Sequence, residues 1–296
     1  MKRIGLAVAA AGCALGLIGP AAAQPVTVRD AFNRSVTLPS PPQRIVAIFA
    51  SNVEMVAALG LADRIVGIET YTRFPPEVLG KPLVGGRLGF SVDAVVAQKP
   101  DLVIVTPSRQ AANQLIDPME RLGIPLLVLL QRDVAEILAN IRLLGRVGGV
   151  PDAGEEVAAR FEARLARTRE RVAGRPPPRT IMVTGRLGNG LLLVARPNTY
   201  TGDAILRAGG RFALASSAIA QVSPEAIFNS DPDMLLFAGS EKDMRELIAR
   251  PGWKDMRAVR EARTHAVSRP QLLIPGPRTI DGIEHLASLF HPVARQ

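Results

Sequence analysis

The chain has 296 residues, with 36 basic and 27 acidic side chains and a formal net charge of +9. These charges do not form a run of five or more like residues, so a nucleic-acid-binding tail is not indicated. The length allows a large core and two domains. Because Cys13 is the only cysteine, the chain cannot form an internal disulfide.

Residues 1–23 have the features of a signal peptide. Two basic residues precede an apolar run, 4–18, which is too short for a stable membrane span, and three alanines, 21–23, offer a cleavage site. We therefore predict cleavage after Ala23 and export of the mature chain. The alternative is a lipoprotein anchored through Cys13, which fits less well because an apolar tail would then begin the mature chain.

Short apolar runs alternate with amphipathic stretches in the first half of the chain. Strands separated by helices at this spacing predict βαβ units and a parallel sheet that is covered on both faces. The predicted strands are 45–49, 64–68, 102–106 and 125–130, and the predicted helices are 52–59, 92–98 and 111–122.

A single long helix, 151–173, follows. Asp152 is its predicted N-cap, arginines crowd its last turns, and Val157 and Phe161 begin an apolar stripe. Three prolines, 176–178, end it, because proline cannot continue a helix.

A second alternating series follows this helix, so the chain is predicted to be an α/β protein with two Rossmann-like lobes. We expect parallel sheets in both lobes and one long rigid helix as their connection. The predicted strands of the second series are 180–184, 191–194, 234–237 and 264–267, and its helices are 202–208, 224–229, 243–248 and 279–289. The predicted boundaries are 24–150 for the N-terminal lobe, 151–173 for the linker helix and 174–296 for the C-terminal lobe.

One motif occurs once in each predicted lobe. Residues 91–105, SVDAVVAQKPDLVIV, return in altered form as residues 223–237, SPEAIFNSDPDMLLF. Ser91 and Ser223 are predicted N-caps, and an acid, Asp93 or Glu225, follows two residues later. A carboxylate in the first helical turn is favoured by the helix dipole, so local physics alone predicts two capped helix starts.

Candidate ligand-binding residues follow from the rule that ligands bind at the carboxyl ends of strands in open α/β sheets. Arginine would hold an anionic ligand through paired hydrogen bonds to its oxygens. Trp253, in contrast, is predicted to be a packing residue. The candidates that follow the predicted strands are Phe49, Ser51, Asn52, Tyr71, Arg73, Arg87, Phe90, Arg109, Arg186, Arg196, Tyr200 and Arg269.

The sequence does not predict a catalytic or metal centre. It has no G-x-S-x-G nucleophile elbow and no H-E-x-x-H zinc motif. Its three histidines, 265, 285 and 291, do not converge with carboxylates in a ligand pattern. We therefore expect no cofactor of its own, and an exported enzyme is the distant alternative.

Five segments in order, 44–69, 91–105, 202–211, 223–237 and 275–292, resemble the periplasmic solute-binding proteins of ABC importers for ferric siderophores, cobalamin and haem. The resemblance implies a ligand cleft between two lobes and a monomer that delivers an iron chelate to a permease dimer with cytoplasmic ATPases. Nucleic acid is not an expected partner. Cobalamin and haem remain alternative ligands, and a ligand sensor is an alternative role.

The resemblance also implies roles for individual residues. In cobalamin-binding members, one glutamate of each lobe docks into an arginine pocket of the permease, and these glutamates match Asp93 and Glu225. Asp93 departs from the family because its side chain is one methylene shorter. Haem-binding members often place a tyrosine before the proline of the loop after the second strand. Phe74 stands there in this chain and cannot ligate iron, and Tyr71 is the nearest alternative.

Overall fold

The computed structural model describes residues 24–86, 89–106, 109–214 and 220–292, so the predicted signal peptide and Cys13 lie outside the described residues. An antiparallel hairpin comes first, formed by β1 (Val26–Arg29) and β2 (Ser35–Leu38). None of the described helices is long and apolar enough to cross a membrane.

The N-terminal lobe has a six-stranded sheet in the order β6-β5-β4-β3-β7-β8. All neighbouring strands are parallel except β5 and β6. Its strands are β3 (Ile45–Ala47), β4 (Ile65–Glu69), β5 (Leu83–Gly86), β6 (Gly89–Phe90), β7 (Leu102–Val105) and β8 (Leu126–Val128). Its helices are α1 (Ala50–Ala58), α2 (Val92–Ala97), α3 (Arg109–Arg121) and α4 (Val134–Val147), with 3-10 turns at Ala62–Arg64 and Pro76–Val78.

The connecting helix is α5 (Pro151–Val172), and its apolar stripe is confirmed because Val157 and Phe161 are buried. The predicted N-cap is wrong. The helix begins at Pro151 with Val150 as the N-cap, so Asp152 lies in the first turn. Proline suits the first helical position because its missing N–H has no partner there in any case.

The C-terminal lobe has a second six-stranded sheet, in the order β12-β10-β9-β13-β14 with β11 paired to β9. Its strands are β9 (Arg179–Arg186), β10 (Leu192–Val194), β11 (Arg211–Phe212), β12 (Gln221–Val222), β13 (Met234–Ala238) and β14 (Thr264–Val267). Its helices are α6 (Tyr200–Arg207), α7 (Pro224–Ser230), α8 (Glu241–Ile248), α9 (Arg257–Arg260), α10 (Arg269–Leu273) and α11 (Thr279–Phe290).

The expectation of a parallel sheet needs a correction in this lobe. β10 runs antiparallel to both β9 and β12. The connection between β9 and β10 is a tight turn, in which the Leu187 N–H donates to the Leu191 carbonyl over 2.9 Å and Gly190 has a φ of 86°. A parallel pair needs a crossover of a dozen or more residues, which this short turn cannot supply.

The sequence analysis missed α4, although its start carries a recognisable signal. The carboxylate of Asp133 accepts a hydrogen bond from the Glu136 N–H at 2.8 Å, which caps the helix. At Gly145, α4 lies directly against α5. A Cβ added there would lie 2.8 Å from the Cα of Gly154, so both glycines allow the close approach of two backbones.

Ion pairs attach α5 to both lobes. Arg142 of α4 binds Glu155 and Glu162 with nitrogen–oxygen distances of 2.8–2.9 Å. Arg164 of α5 binds Asp281 and Glu284 of α11 at 2.6–2.9 Å. Bidentate arginine–carboxylate geometry fixes orientation as well as distance, so α5 is held to each lobe at a defined angle.

Candidate functional site

Phe49 and Phe90 form an aromatic pair at the carboxyl edge of the first sheet. Phe49 precedes α1 with a φ of 75°, a left-handed backbone that a bulky residue rarely adopts. Its ring meets that of Phe90 edge-on, with centroids 5.7 Å apart. Both side chains are partly exposed. Because backbone strain of this kind is concentrated at functional sites, the pair is a good candidate for one wall of a ligand cleft.

Ser51 and Asn52, which were predicted to bind a ligand, are buried in α1, with 3% and 0% of their surface exposed. The amide of Asn52 donates to the Ile48 carbonyl at 2.6 Å and to the Thr106 hydroxyl at 3.1 Å, and its oxygen accepts from Gln131 at 3.3 Å. This network joins the ends of neighbouring strands. The prediction for these two residues is therefore corrected to an internal, structural role.

Glu69, at the end of β4, is a buried carboxylate. It accepts a hydrogen bond from the Ala50 N–H at 3.0 Å and so supplies the cap of α1 that Phe49 cannot provide. Burial raises the pKa of the Glu69 carboxyl, and the hydrogen bond from Ala50 opposes that rise. The acid therefore organises the start of α1 beneath the aromatic pair.

The loop after β4 has three side chains at the surface, two of them aromatic and one cationic. Tyr71 is 54% exposed and Phe74 is 39% exposed. Arg73 is also exposed, and its guanidinium donates to the carbonyls of Thr70 and Thr72 at 2.6 and 2.8 Å. The loop therefore exposes an aromatic surface and a cation beyond the carboxyl end of β4.

Arg269 lies at the carboxyl edge of the second sheet. Its guanidinium donates to the Thr184 carbonyl of β9 at 2.8 Å and to the Ala238 carbonyl of β13 at 3.1 Å. Arg186, at the end of β9, lies 3.8 Å from the carboxylate of Asp243. Arg196 is partly exposed and follows β10, but β10 runs antiparallel to β9, so Arg196 lies beside the first half of β9. Two predicted arginines, Arg186 and Arg269, are thus brought to the carboxyl edge of the second sheet, and Arg196 is not.

Tyr200 is less available to a ligand than predicted, because it begins α6 and its hydroxyl donates to the Leu273 carbonyl at 2.7 Å. Burial raises its pKa. The prediction for Trp253 is confirmed. It is 3% exposed and packs edge-on against Phe228, with ring centroids 5.2 Å apart.

Two predicted ligand residues have no described side chain. Arg87 lies between β5 and β6, and the side chain of Arg109 is not among the described ones. Within the described residues, no group of three or more His, Cys, Asp or Glu is placed to hold a metal ion. His291 is buried against the Gly209 carbonyl, 3.2 Å from it.

Glu54 and Arg278 form a contact between the lobes that the sequence analysis missed. Arg278 precedes α11 and binds the carboxylate of Glu54 in α1 through two hydrogen bonds, of 3.0 and 2.6 Å. Its guanidinium also lies 4.5 Å from the ring centroid of Phe74. Glu54, an acid between Val53 and Met55 in an apolar helix, was the only signal in the sequence.

The repeated motif forms the same capped helix in each lobe. The Ser91 hydroxyl accepts from the Ala94 N–H at 3.1 Å, and the Ser223 hydroxyl accepts from the Ala226 N–H at 3.3 Å. Both predicted N-caps are therefore confirmed. Each helix also follows a two-residue edge strand, β6 or β12.

The Pro-Asp pair of the motif ties each helix end to the first strand of its lobe. The carboxylate of Asp101 accepts from the backbone N–H of Arg44 at 2.9 Å, and that of Asp233 accepts from the N–H of Arg179 at 2.8 Å. In return, Arg44 and Arg179 donate their guanidinium groups to carbonyls at the ends of α2 and α7. The motif is therefore an anchor as well as a capped helix.

Asp93 and Glu225 are both exposed in the first turns of α2 and α7. In the described part of the chain, neither carboxylate has an ion-pair partner. Hydrogen bonds from its own backbone N–H and from the Ser223 hydroxyl lower the pKa of Glu225. The two lobes therefore present one exposed carboxylate each in the same local frame.

The architecture of two α/β sheets on either side of one long helix matches a known family. A family model described as periplasmic binding protein matches residues 45–265. The chain belongs to this family. It is 28% identical to the ABC transporter substrate-binding lipoprotein YvrC of Bacillus subtilis over 90% of this chain and 86% of that protein. It is also 28% identical to a cobalamin-binding protein of Halobacterium salinarum over 90% of this chain and 74% of that protein.

A solved structure supports the same assignment. A periplasmic haem-binding protein from Pseudomonas aeruginosa superposes with a TM-score of 0.75 and 29% identity, covering 86% of this chain and 94% of that one. Relatives of this chain are substrate-binding proteins of ABC transporters, so this family member is the binding component of an ABC transporter and not an enzyme.

Proposed function

We propose that this chain captures an iron chelate of the ferric siderophore type in the periplasm and delivers it to an inner-membrane ABC permease. One observation carries the choice of ligand class. Arg73 and Arg269 lie at the carboxyl edges of the two sheets, and neither is paired with a carboxylate among the described side chains. Unpaired guanidinium groups suit the carboxylate or catecholate oxygens of an anionic chelate.

Cobalamin and haem are second candidates, because relatives of this chain carry those names. Tyr71 and Phe74 together expose aromatic surface in the loop after β4, which would suit a flat macrocycle. Phe74 cannot ligate iron, and Tyr71 is the exposed tyrosine that remains for such a role.

Delivery in this proposal uses Asp93 and Glu225 as the docking pair, one on each lobe. Exposed carboxylates without ion-pair partners would steer the loaded protein towards cationic pockets on a permease dimer served by cytoplasmic ATPases. The exported form would be a monomer released from its signal peptide after Ala23. Lipid attachment at Cys13 is the alternative. This alternative is supported by the relative YvrC, which is a lipoprotein.

Binding of ferric enterobactin, cyanocobalamin and haemin, measured by native mass spectrometry and absorbance titration, tests this proposal. We expect ferric enterobactin to bind, and Arg269→Met to weaken its binding about 10- to 100-fold, as for the loss of a hydrogen bond to a charged group. Arg250→Met, an exposed arginine at the end of α8, is the matched control and should leave the affinity unchanged. Failure of all three compounds to bind would rule out the chelate assignment.

A further inference from the structure

Glu54 is a buried carboxylate whose ionic partner comes from the other lobe. Its side chain is 1% exposed, whereas that of Arg278 is 23% exposed. The two side chains pair through both carboxylate oxygens, at 3.0 and 2.6 Å. No other arginine, lysine or histidine within the described residues is paired with Glu54. The charge of Glu54 is therefore balanced only while the two lobes stay together.

Phe74 holds the same guanidinium from a second element of the N-terminal lobe. Arg278 stands over its ring at 4.5 Å from the centroid, a distance at which a cation is attracted by the aromatic face. The side chain is thus held by α1 and by the loop after β4, while its backbone belongs to the start of α11. Position and orientation of the guanidinium are both defined by the N-terminal lobe.

The turn that presents Arg278 is itself internally bonded. The Thr279 hydroxyl donates to the Ile274 carbonyl at 3.2 Å, and the Thr279 N–H donates to the Gly276 carbonyl at 3.0 Å. A Cβ at Gly276 would lie 3.2 Å from the Glu54 carboxylate, so the backbone of this turn comes close to Glu54. A bonded turn cannot stretch to follow a moving lobe, so lobe separation would break the ion pair.

The energetics of the Glu54–Arg278 pair favour a role in positioning the two lobes over a role in stabilising the fold. Burial raises the pKa of Glu54 despite the opposing hydrogen bonds and charge of Arg278. For buried ion pairs in general, the cost of desolvation is often as large as the gain from pairing. Removing one partner is nevertheless strongly unfavourable, because it leaves a buried charge without a counter-charge. A pair of this kind contributes little to net stability but selects one arrangement of its surroundings.

We propose that the Glu54–Arg278 pair, seated on Phe74, fixes the separation of the two lobes and thereby sets the width of the ligand cleft. Glu54 and Arg278 are then positioning residues that determine which size of ligand is accepted. The link to ligand size rests on the function proposed above, whereas the link to lobe separation does not. Ligand contacts are left to the other strand-end residues, such as Tyr71 and Arg269.

Lobe separation can be measured without a ligand. The chain from Gln24 onwards spans both lobes and contains no cysteine, so two cysteines can be added at exposed positions, Asp63→Cys in the N-terminal lobe and Lys242→Cys in the C-terminal lobe. Spin labels at these sites report the distance between lobes by pulsed electron paramagnetic resonance. We expect one narrow distance distribution for the parent and a broader distribution, shifted to longer distance, for Arg278→Met.

The matched control is Arg257→Met. Arg257 pairs with Asp231 and Asp233 inside the C-terminal lobe, so its loss should lower stability without changing the distance between lobes. Glu54→Gln, which removes the charge at nearly constant shape, provides a second variant if Arg278→Met does not fold. An unchanged distribution in a folded Arg278→Met or Glu54→Gln protein would overturn the proposal.

Ligand size is tested on the same variants with haemin, cyanocobalamin and ferric enterobactin. We expect the compound that the parent binds best to lose at least tenfold in affinity in Arg278→Met, and the ratio of affinities between the smallest and largest compounds to move towards one. Arg278→Lys should restore part of the affinity. A wider distance distribution with unchanged affinities would refute the effect on cleft width, and no binding by the parent would refute the proposed function and leave the lobe result standing.

Discussion

The two lobes share an anchored helix but differ in the strands that lie between the edge strand and the first strand of each sheet. In both, the repeated motif leaves a two-residue edge strand and enters a strand that lies parallel to the first strand of the lobe. Between these points the N-terminal lobe has parallel β4 and β5, whereas the C-terminal lobe has the antiparallel β10. The frame that presents Asp93 and Glu225 is therefore common to both lobes, and the strands between the edge strand and the first strand of each sheet differ in number and direction.

The largest expected effect tests whether this common frame presents a docking pair. In the double variant Asp93→Arg with Glu225→Arg, we expect cellular uptake of the bound chelate to be lost while ligand affinity stays unchanged, because reversed charge repels cationic pockets. Glu225→Arg alone should impair uptake more than Asp93→Arg, since the aspartate is shorter.

A matched control for the double variant is Glu77→Arg with Glu246→Arg, which reverses one exposed acid on each lobe away from the motif. Uptake should persist in this control. Normal uptake in the docking variant would show that Asp93 and Glu225 do not dock to a permease and serve only in the first turns of α2 and α7.

Glycine substitutions compare packing in the two lobes. A Cβ at Gly202 would lie 1.9 Å from the Arg196 carbonyl oxygen, whereas one at Gly145 would lie 2.8 Å from the Gly154 Cα. We expect Gly202→Ala to reduce the free energy of unfolding by about 3 kcal/mol and Gly145→Ala by about 1–2 kcal/mol. Urea denaturation measures both. Gly80→Ala, in open space, is the control and should be close to neutral, and a reversed order would contradict the geometry.

The anchoring aspartates should contribute comparable stability in the two lobes. We expect Asp101→Ala and Asp233→Ala each to lower the free energy of unfolding by about 1–3 kcal/mol, because each leaves a strand-start N–H without its charged acceptor. Asp233→Asn should cost less, since an amide oxygen still accepts from Arg179. Equal losses for the alanine and asparagine variants in chemical denaturation would argue that the backbone hydrogen bond contributes nothing.

Equivalent helix caps provide the smallest comparison. Ser91→Ala and Ser223→Ala are each expected to destabilise by about 1 kcal/mol, because an N-terminal N–H of α2 or α7 loses its acceptor. Ser91→Asn and Ser223→Asn retain a cap and should restore most of the loss. Thermal unfolding measures the destabilisation caused by each substitution. Unequal destabilisation in the two lobes would mean that the two caps contribute differently although their hydrogen bonds are similar.

Much of the fold could be read from local patterns. All eight predicted strands and all eight predicted helices form to within two residues of their expected bounds. Periodicity is a local property, so apolar runs and capped amphipathic stretches identify elements one at a time. Helix α4 was missed although Asp133 and Glu136 mark its start, and the shortest strands, such as β6 and β12, carry too few residues to show a pattern.

The candidate site could be predicted only in part. The rule of strand ends brought Phe49, Tyr71 and Arg269 to the expected edges of the sheets. The rule could not distinguish a side chain that faces a ligand from one that makes contacts inside the protein. Asn52 is buried, for example, and the Tyr200 hydroxyl donates to a backbone carbonyl. Burial depends on what packs over a residue, which the strand-end rule does not contain.

The sequence by itself determined the elements, the repeated motif and the resemblance to a family of importer-binding proteins, because these depend on residues close together in the chain. Only the tertiary structure decided the anchoring of α2 and α7 by Asp101 and Asp233 and the pairing of Glu54 with Arg278. These contacts join residues far apart in sequence. Their partners are selected by distance and burial in the folded chain, which local patterns do not encode.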